Sequence, residues 1–494
     1  MSITLDGHHL SLEQAEQVIW GQQPVEATPE ALQVVQASAE VVAQLARRGE
    51  PVYGINTGFG KLSRRRIPAE QLEALQLNLL RSHAVGVGAP LPDEAARAAL
   101  LFRLNALLLG RSGVRPRLIN YLVRMLNAQV VPIIPAKGSV GSSGDLAPLA
   151  HLALLLIGEG QAKLSGRQLS GGQLLQELGL EPLRLGPKEG LALINGTQIS
   201  LATGFVAWHR AERLLQHAQL IAALALEALG GRMSPFEQCL QEARPHPGQL
   251  QVARNLRQRL ADSRLVEQSD DVQDPYTLRC IPQVLGASLD ALDWVAQVMR
   301  VEINSATDNP LIFAERNEAL SGGNFHGQIL GLAFELLGMA VAEIGNFSER
   351  RTARLLEAPG LPLFLADQSG LDSGLMIPQY TAAALVSENK ILAHPAVVDS
   401  IPTSGGQEDH NSLCSLSAHK ALQISENVEY ILAIELLTAL QALDYRDPEK
   451  MAPATRRVYR LARVRLAHWD GRGLLGEGLR QALALIKSGE LLHD

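Results

Sequence analysis

The stretch GSVGSSGDLAPLAH, residues 138–151, sets Gly138, Gly141 and Gly144 among Ser139, Ser142 and Ser143 just ahead of an apolar run. A glycine-rich turn before a helix suggests an anion site, because free N–H groups and the helix dipole favour negative charge. The phosphate-loop pattern is absent: Lys137 precedes the turn, and in the second glycine loop Gly60-Lys61 is followed by Leu62. A nucleophile elbow fails as well, since Ser143 has Gly141 two residues before it but Asp145 two residues after. A structural reading remains, with Asp145 capping a helix over 146–157 and the glycines permitting a tight turn. A chemical reading stands beside it. Gly144 carries no side chain, so its nitrogen can approach the Ser142 carbonyl carbon and close a five-membered ring. Loss of water from the ring and from the Ser143 side chain then leaves a conjugated methylidene, an electrophile that no standard side chain provides.

The rest of the chain describes the scaffold around that turn. In 494 residues, 46% are hydrophobic but only 4% aromatic, and Leu and Ala fill long segments, so a mainly α protein with a large core is expected. Residues 93–110 start acidic and close on a glycine, as a capped helix does. Segments 198–229, 326–355 and 411–444 predict three long helices and hence a bundle. Between them lie polar or glycine-rich loops at 53–63, 138–145, 267–280, 306–313, 321–327 and 402–411, and loops on a rigid scaffold are where chemistry tends to sit. A division near residue 200 is expected, with 1–200 carrying the glycine–serine turn and 201–494 the long helices. A net charge of −7 gives no footprint for nucleic acid, and the run Arg64–Arg66 reads as a solvated loop. Cys239, Cys280 and Cys414 are too scattered for a disulfide framework, and the 13 histidines show no metal-ligand spacing. The N-terminus lacks the charged and apolar regions of a secretory signal, and LAPLAHLALLLIG is too short to cross a bilayer. A cytoplasmic protein without membrane partners is expected.

The turn also belongs to a series. YGINTGFG at 53–60, SHAVGVG at 82–88, KGSVGSSGDLAPLAH at 137–151, KEGLALINGTQ at 188–198, VQDPYTLRC at 272–280, TDNPLIF at 307–313, SGGNFHGQ at 321–328 and QEDH at 407–410 follow one another along the chain. In these motifs and their order the sequence closely resembles the aromatic amino acid ammonia-lyases, the family that uses the 4-methylideneimidazole-5-one group. The resemblance implies a carbon–nitrogen lyase of the ammonia-lyase and fumarase-like superfamily. Its fold would be a long central helical bundle with an N-terminal loop-and-helix region. It implies that Ser142-Ser143-Gly144 forms the group autocatalytically, with no external cofactor and no metal. The family usually has alanine where Ser142 stands, a difference that leaves the ring-forming backbone atoms intact. A homotetramer whose active sites draw loops from several subunits is implied too.

Ammonia elimination couples a poor leaving group to a weakly acidic β-proton, so electrophile, base and carboxylate anchor must act together. The resemblance places Arg279 on the substrate carboxylate, where its fork suits a planar anion. It places Tyr53 and Tyr276 in the site, with Tyr53 as the base that takes the β-proton, and Asn195, Gln273 and Phe325 around electrophile and substrate. Read without the motifs, either tyrosine can be a core residue with a satisfied hydroxyl, and Asn195 a helix cap before the 198–229 segment. Ser82-His83 and the carboxylate of Glu408 favour an imidazole over a phenyl ring, which would leave Glu408 buried and unpaired. Glu408 is also open to acting on the β-proton. The expected reaction is L-histidine to trans-urocanate and ammonia, the first step of histidine breakdown. A tyrosine or phenylalanine lyase, or a 2,3-aminomutase, is the nearer alternative, since MIPQYTAAALVSENK at 376–390 and the NSL after QEDH depart from the histidine-acting pattern. A helical binding protein without a matured group is the remoter one.

Overall fold

The computed structural model describes residues 2–48, 50–269 and 271–493. Helix dominates, as the aromatic-poor, Leu/Ala-rich composition predicts. The three long helices expected from the apolar segments are Gln198–Leu229, Gln328–Leu356 and Cys414–Leu443. Three more of comparable length were not anticipated, Pro29–Arg47, Ile281–Glu302 and Met376–Leu392. The first does carry start signals, Thr28 as cap and Pro29 at the first position; the other two follow Cys280 and Leu375, which are not capping residues, and carry a proline inside the first turn that reads as a breaker when no cap precedes it. Strands are short and few, and pair locally. Ile3–Leu5 runs parallel to Val25–Ala27, and Gln161–Leu164 forms a hairpin with Arg167–Ser170 that Val131–Pro132 extends. Leu311–Phe313 pairs antiparallel with Glu318–Leu320.

The chain forms two compact units. One comprises residues 1–206, 296–335 and 395–419, and the other 207–295, 336–394 and 420–494. In the first, every residue from Ala95 to Leu108 of the helix Asp93–Leu108 is buried, as expected of a helix that is apolar on all sides. Gly204 lies so close to Phe334 that an added Cβ would fall 2.1 Å from the ring, which makes glycine the residue that lets these two long helices meet.

In the second unit, polar contacts mark where the long helices touch. Trp208 Nε1 donates to the Leu292 carbonyl at 3.3 Å and Ser288 Oγ to the Ala340 carbonyl at 2.9 Å. Arg351 pairs with Glu435 through Nε–Oε1 at 2.5 Å and Nη2–Oε2 at 2.9 Å, with both side chains fully buried. Elsewhere in this unit His468 bridges two carboxylates, Nδ1 to Asp444 at 2.6 Å and Nε2 to Asp367 at 2.9 Å. Gln328–Leu356 is long and apolar enough to cross a membrane, but most of it is buried inside the protein, which is the condition of a core helix.

Two expectations about stability follow from these ion pairs. Removing one partner of the Arg351–Glu435 pair leaves a buried charge, so Arg351→Met should lose about 3–5 kcal/mol in urea melts while Arg351→Met/Glu435→Leu recovers most of it. Burial lowers the His468 pKa, but its hydrogen bonds and charge contacts with Asp444 and Asp367 outweigh that and raise it. The stabilisation is therefore complete below the unfolded value of 6.5 and is lost as pH rises through the raised folded value. The melting midpoint of wild type should exceed that of His468→Gln by more at pH ~6 than at pH ~9.

Candidate active site

The turn at 138–145 runs through left-handed backbone, with φ of 69° at Gly141, 53° at Ser143 and 72° at Gly144. Positive φ is ordinary for glycine and strained for serine, so the surroundings must hold Ser143 there. Gly144 pairs with Gly196 in an isolated parallel bridge, and Asp145 N donates to the Gly196 carbonyl at 2.7 Å. A Cβ on Gly144 would lie 2.2 Å from that oxygen, so no other residue fits the position. Ser142 is buried and Ser143 half-buried.

Asp145 does not cap the helix Leu146–Leu154: its side chain makes no capping bond. The carboxylate turns away and accepts from Ser200 N, Ser200 Oγ and Ser139 Oγ, each at 2.7 Å. Those three donors outbid the helix N-terminus. Burial pushes the Asp145 carboxyl above its usual range against the pull of these bonds. Cys414 Sγ donates to Ser200 Oγ at 3.2 Å, and burial pushes this thiol up to about 12. Ser412 Oγ donates to the Gly141 carbonyl at 2.9 Å. Glu302 takes a hydrogen bond from Thr197 Oγ1 at 2.5 Å, and its carboxyl is raised by burial and by the charge of Asp145. The strained turn thus rests on a buried polar floor.

Asn195 is likewise not a cap for the 198–229 helix. It closes the short helix Glu189–Ile194, where its Nδ2 donates to the Asn309 carbonyl at 3.0 Å. Its Oδ1 is buried without a protein partner. Behind it stand three charged residues that the sequence reading passed over. Lys188 and Asp308 form a buried pair at 2.5 Å, and Arg103, 1% exposed, donates to the Asn195 carbonyl at 2.9 Å. Lys188 and Asp308 were in plain view inside KEGLALINGTQ and TDNPLIF, and Arg103 is one of two arginines, with Arg97, in a helix that is otherwise mostly apolar, a signal of buried charge.

Tyr53 and Glu408 come together in this unit. Burial raises the Tyr53 pKa, the Gly60 N–H bonded to its oxygen at 3.5 Å opposes this, and the charges of Glu408 and Asp308 raise it further. Glu408 sits in a small bridge with Thr403, its Oε2 buried without a partner. His83 ends the helix Leu72–His83 with Nδ1 3.0 Å from Ser82 Oγ, and burial pushes its pKa down, so the ring is neutral near pH 7. Phe325 is half-buried in the loop before Gln328–Leu356. The next residue, His326, stacks on His410 with ring centroids 5.6 Å apart.

The remaining three expected site residues form their own group in the second unit. Arg279 Nη1 donates to Gln273 Oε1 at 2.7 Å, and its guanidinium lies 4.7 Å from the centre of the Tyr276 ring, a cation–π distance. Among the described residues no carboxylate pairs with Arg279, and its Nε is unpartnered. A cavity of about 430 Å³ is lined by Gln273 and Arg279 together with Arg232, Cys280 and Gln283. Tyr276, 68% exposed, faces a second of about 730 Å³.

Residues 10–464 match the family model described as aromatic amino acid lyase. The chain belongs to the aromatic amino acid lyase family. This lyase is 51% identical to a histidine ammonia-lyase of Symbiobacterium thermophilum over 98% of its own length and 97% of the relative's. Among solved structures, a histidine ammonia-lyase from Trypanosoma cruzi is 41% identical with a TM-score of 0.92, covering 99% of this chain and 94% of that one. A tyrosine aminomutase from Streptomyces globisporus is 36% identical with a TM-score of 0.94, covering 100% and 98%. This lyase is therefore a carbon–nitrogen lyase with the mainly α fold of its superfamily.

The buried floor has a readout in thiol chemistry. Cys239 is exposed and Cys414 buried with a raised pKa, so a maleimide should label Cys239 in the native protein and leave Cys414 untouched until denaturant is added. Native labelling of Cys414, located by peptide mass, would contradict the geometry beneath the turn.

Proposed function

We propose that this lyase removes ammonia from L-histidine to give trans-urocanate. The observation that carries the reading is Glu408 Oε2, a buried acceptor with no partner, close enough to Tyr53 for its charge to act on the phenol. A buried acceptor left empty costs free energy unless a ligand fills it, and the N–H of an imidazole does so where a phenyl ring cannot. His83, neutral and half-buried, adds a second group suited to an imidazole nitrogen. The near-full-length similarity to histidine ammonia-lyases points the same way.

Ser142-Ser143-Gly144 fits the methylideneimidazolone that the family resemblance implies, because the turn already holds Ser143 and Gly144 at positive φ and leaves no room for a Cβ at Gly144. That group would supply the electrophile that assists departure of the amine. Around it, Asn195 presents its unpartnered Oδ1 as an acceptor for the substrate's ammonium hydrogens. Arg279, steadied by Gln273 and the Tyr276 ring, holds the substrate carboxylate with a fork that no carboxylate among the described residues occupies. Phe325 packs on the substrate side chain. Tyr53 passes its phenol proton to Glu408 and takes the β-proton as the phenolate, while the second Glu408 oxygen accepts the imidazole N–H and holds the ring in register. A homotetramer in the cytoplasm, with the Arg279 group and the Ser143 group contributed to one site by different subunits, completes the reading.

Intact mass and near-ultraviolet absorbance after addition of L-histidine test it together. The expected result is a chain lighter than its genetic mass by two waters and accumulation of urocanate. Missing waters with β-amino acids or coumarate formed from tyrosine instead would replace histidine as the substrate. Full genetic mass without turnover would reject the reading. Glu408→Gln, which keeps shape and removes charge, should cut histidine turnover by about 100-fold or more.

A further inference from the structure

The floor under the Ser142-Ser143-Gly144 turn and the wall behind Gly196 are built differently. The floor is a set of neutral hydroxyls and raised acids; the wall is a fixed cation. Arg103, on the helix Asp93–Leu108, reaches the turn between two other helices and bonds three points of it. Nη1 donates to the Asn195 carbonyl at 2.9 Å and to Gln198 Oε1 at 2.6 Å, and Nη2 donates to the Ala192 carbonyl. Gln198 in turn donates to Thr307 Oγ1 at 2.7 Å.

Gly196 is enclosed by this set. A Cβ there would fall 2.4 Å from Arg103 Nη1, 2.4 Å from Gln198 Oε1 and 3.0 Å from Thr307 Oγ1. On its other side stands Gly144, whose own Cβ would fall 2.2 Å from Gly196 O and 2.4 Å from Gly196 N. Gly196 therefore touches both the guanidinium and Gly144, with a side chain excluded at both glycines. No carboxylate bonds Arg103 directly, and the nearby Asp308 is engaged by Lys188 at 2.5 Å. A guanidinium buried among neutral acceptors is costly, and a leucine would serve the apolar helix better, so the packing of that helix does not account for the residue.

We propose that Arg103 is a positioning residue for maturation of the electrophilic group, holding the Asn195–Gln198 turn so that Gly196 presses Gly144 toward the Ser142 carbonyl. The proposal rests on the reading that this tripeptide cyclises. Ring closure forms one bond, from Gly144 N to the Ser142 carbonyl carbon. One water leaves with the Ser142 oxygen and the amide protons of Ser143 and Gly144; the second leaves with the Ser143 hydroxyl and its Cα hydrogen. No oxidant or other reactant is consumed. What limits such a closure is how often the nitrogen is held against the carbonyl carbon, and Arg103 governs that through Gly196 without touching the reacting atoms.

Arg103→Lys keeps the charge and loses the fork, so it cannot bond Asn195, Gln198 and Ala192 together. Gln198→Met keeps Arg103 and removes the link that ties it to Thr307. Both are followed in the full-length protein by intact mass over time after synthesis, with melting temperature and turnover per matured chain measured alongside. Arg103→Lys should lose its two waters on the order of 100-fold more slowly than wild type, with Gln198→Met slowed in the same direction. Turnover per matured chain should stay close to wild type in both. Wild-type maturation in both folded variants would overturn the proposal, as would full maturation with turnover per chain reduced, which would make Arg103 a support for Asn195 alone. If Arg103→Lys does not fold, Gln198→Met decides by the same criteria. A wild-type chain that never loses two waters would instead defeat the reading of the tripeptide itself.

Discussion

The contact between Gly144 and Gly196 sets the terms for everything around it. Two backbones approach until neither position has room for a Cβ, and the Asp145 N–H to Gly196 carbonyl bond at 2.7 Å holds them there. Such an approach is unfavourable in an isolated peptide, where it is only one of many conformations and puts Ser143 at positive φ. It persists because elements distant in sequence close on it from every side. Val140 takes a hydrogen bond from Leu413 N, Gly141 one from Ser412 Oγ, Asp145 three from Ser139 and Ser200, and Gly196 lies against Arg103. A strained turn is affordable only on a scaffold that does not yield, and the close-packed long helices provide that stiffness.

Charge is distributed by the same logic. Deep pairs such as Lys188–Asp308 and Arg351–Glu435 bring each cation against a carboxylate at 2.5 Å. Among the described residues the groups proposed to meet substrate keep a valence open: Asn195 Oδ1 and Glu408 Oε2 are buried without partners, and no carboxylate pairs with Arg279. A structural residue has every reason to be satisfied, whereas a group that binds a ligand must keep a valence open.

Much of this was legible in the sequence, and the part that was not has a common cause. The helix over 198–229 follows from its Ala/Leu-rich content, and the tight turn at 138–145 from its three glycines. The tie between Tyr53 and Glu408, some 350 residues apart, entered only through family resemblance, since spacing says nothing about such a pair. Asp145 and Asn195 read locally as helix caps because a cap is the nearest partner a short polar side chain can be given from sequence. Their true partners, Ser200 and Asn309, are supplied by the fold. For Arg103 the sequence signals a buried charge but not its partners: the three acceptors are two backbone carbonyls and an amide, none of which marks a sequence as the partner of a cation.

The position of Arg279 carries the argument one step further. Tyr276, which shields one face of its guanidinium, is 68% exposed, and the fork is steadied only by the neutral Gln273. Arg279 itself is half-buried, and a carboxylate at the exposed rim beside Tyr276 would add little, because water competes for both charges. The same fork pressed against an anion in a site closed to water gains far more. The reaction proposed above needs both the Arg279 fork and the Ser143 turn at one substrate, and bringing the two together is the task that reading gives to the proposed homotetramer.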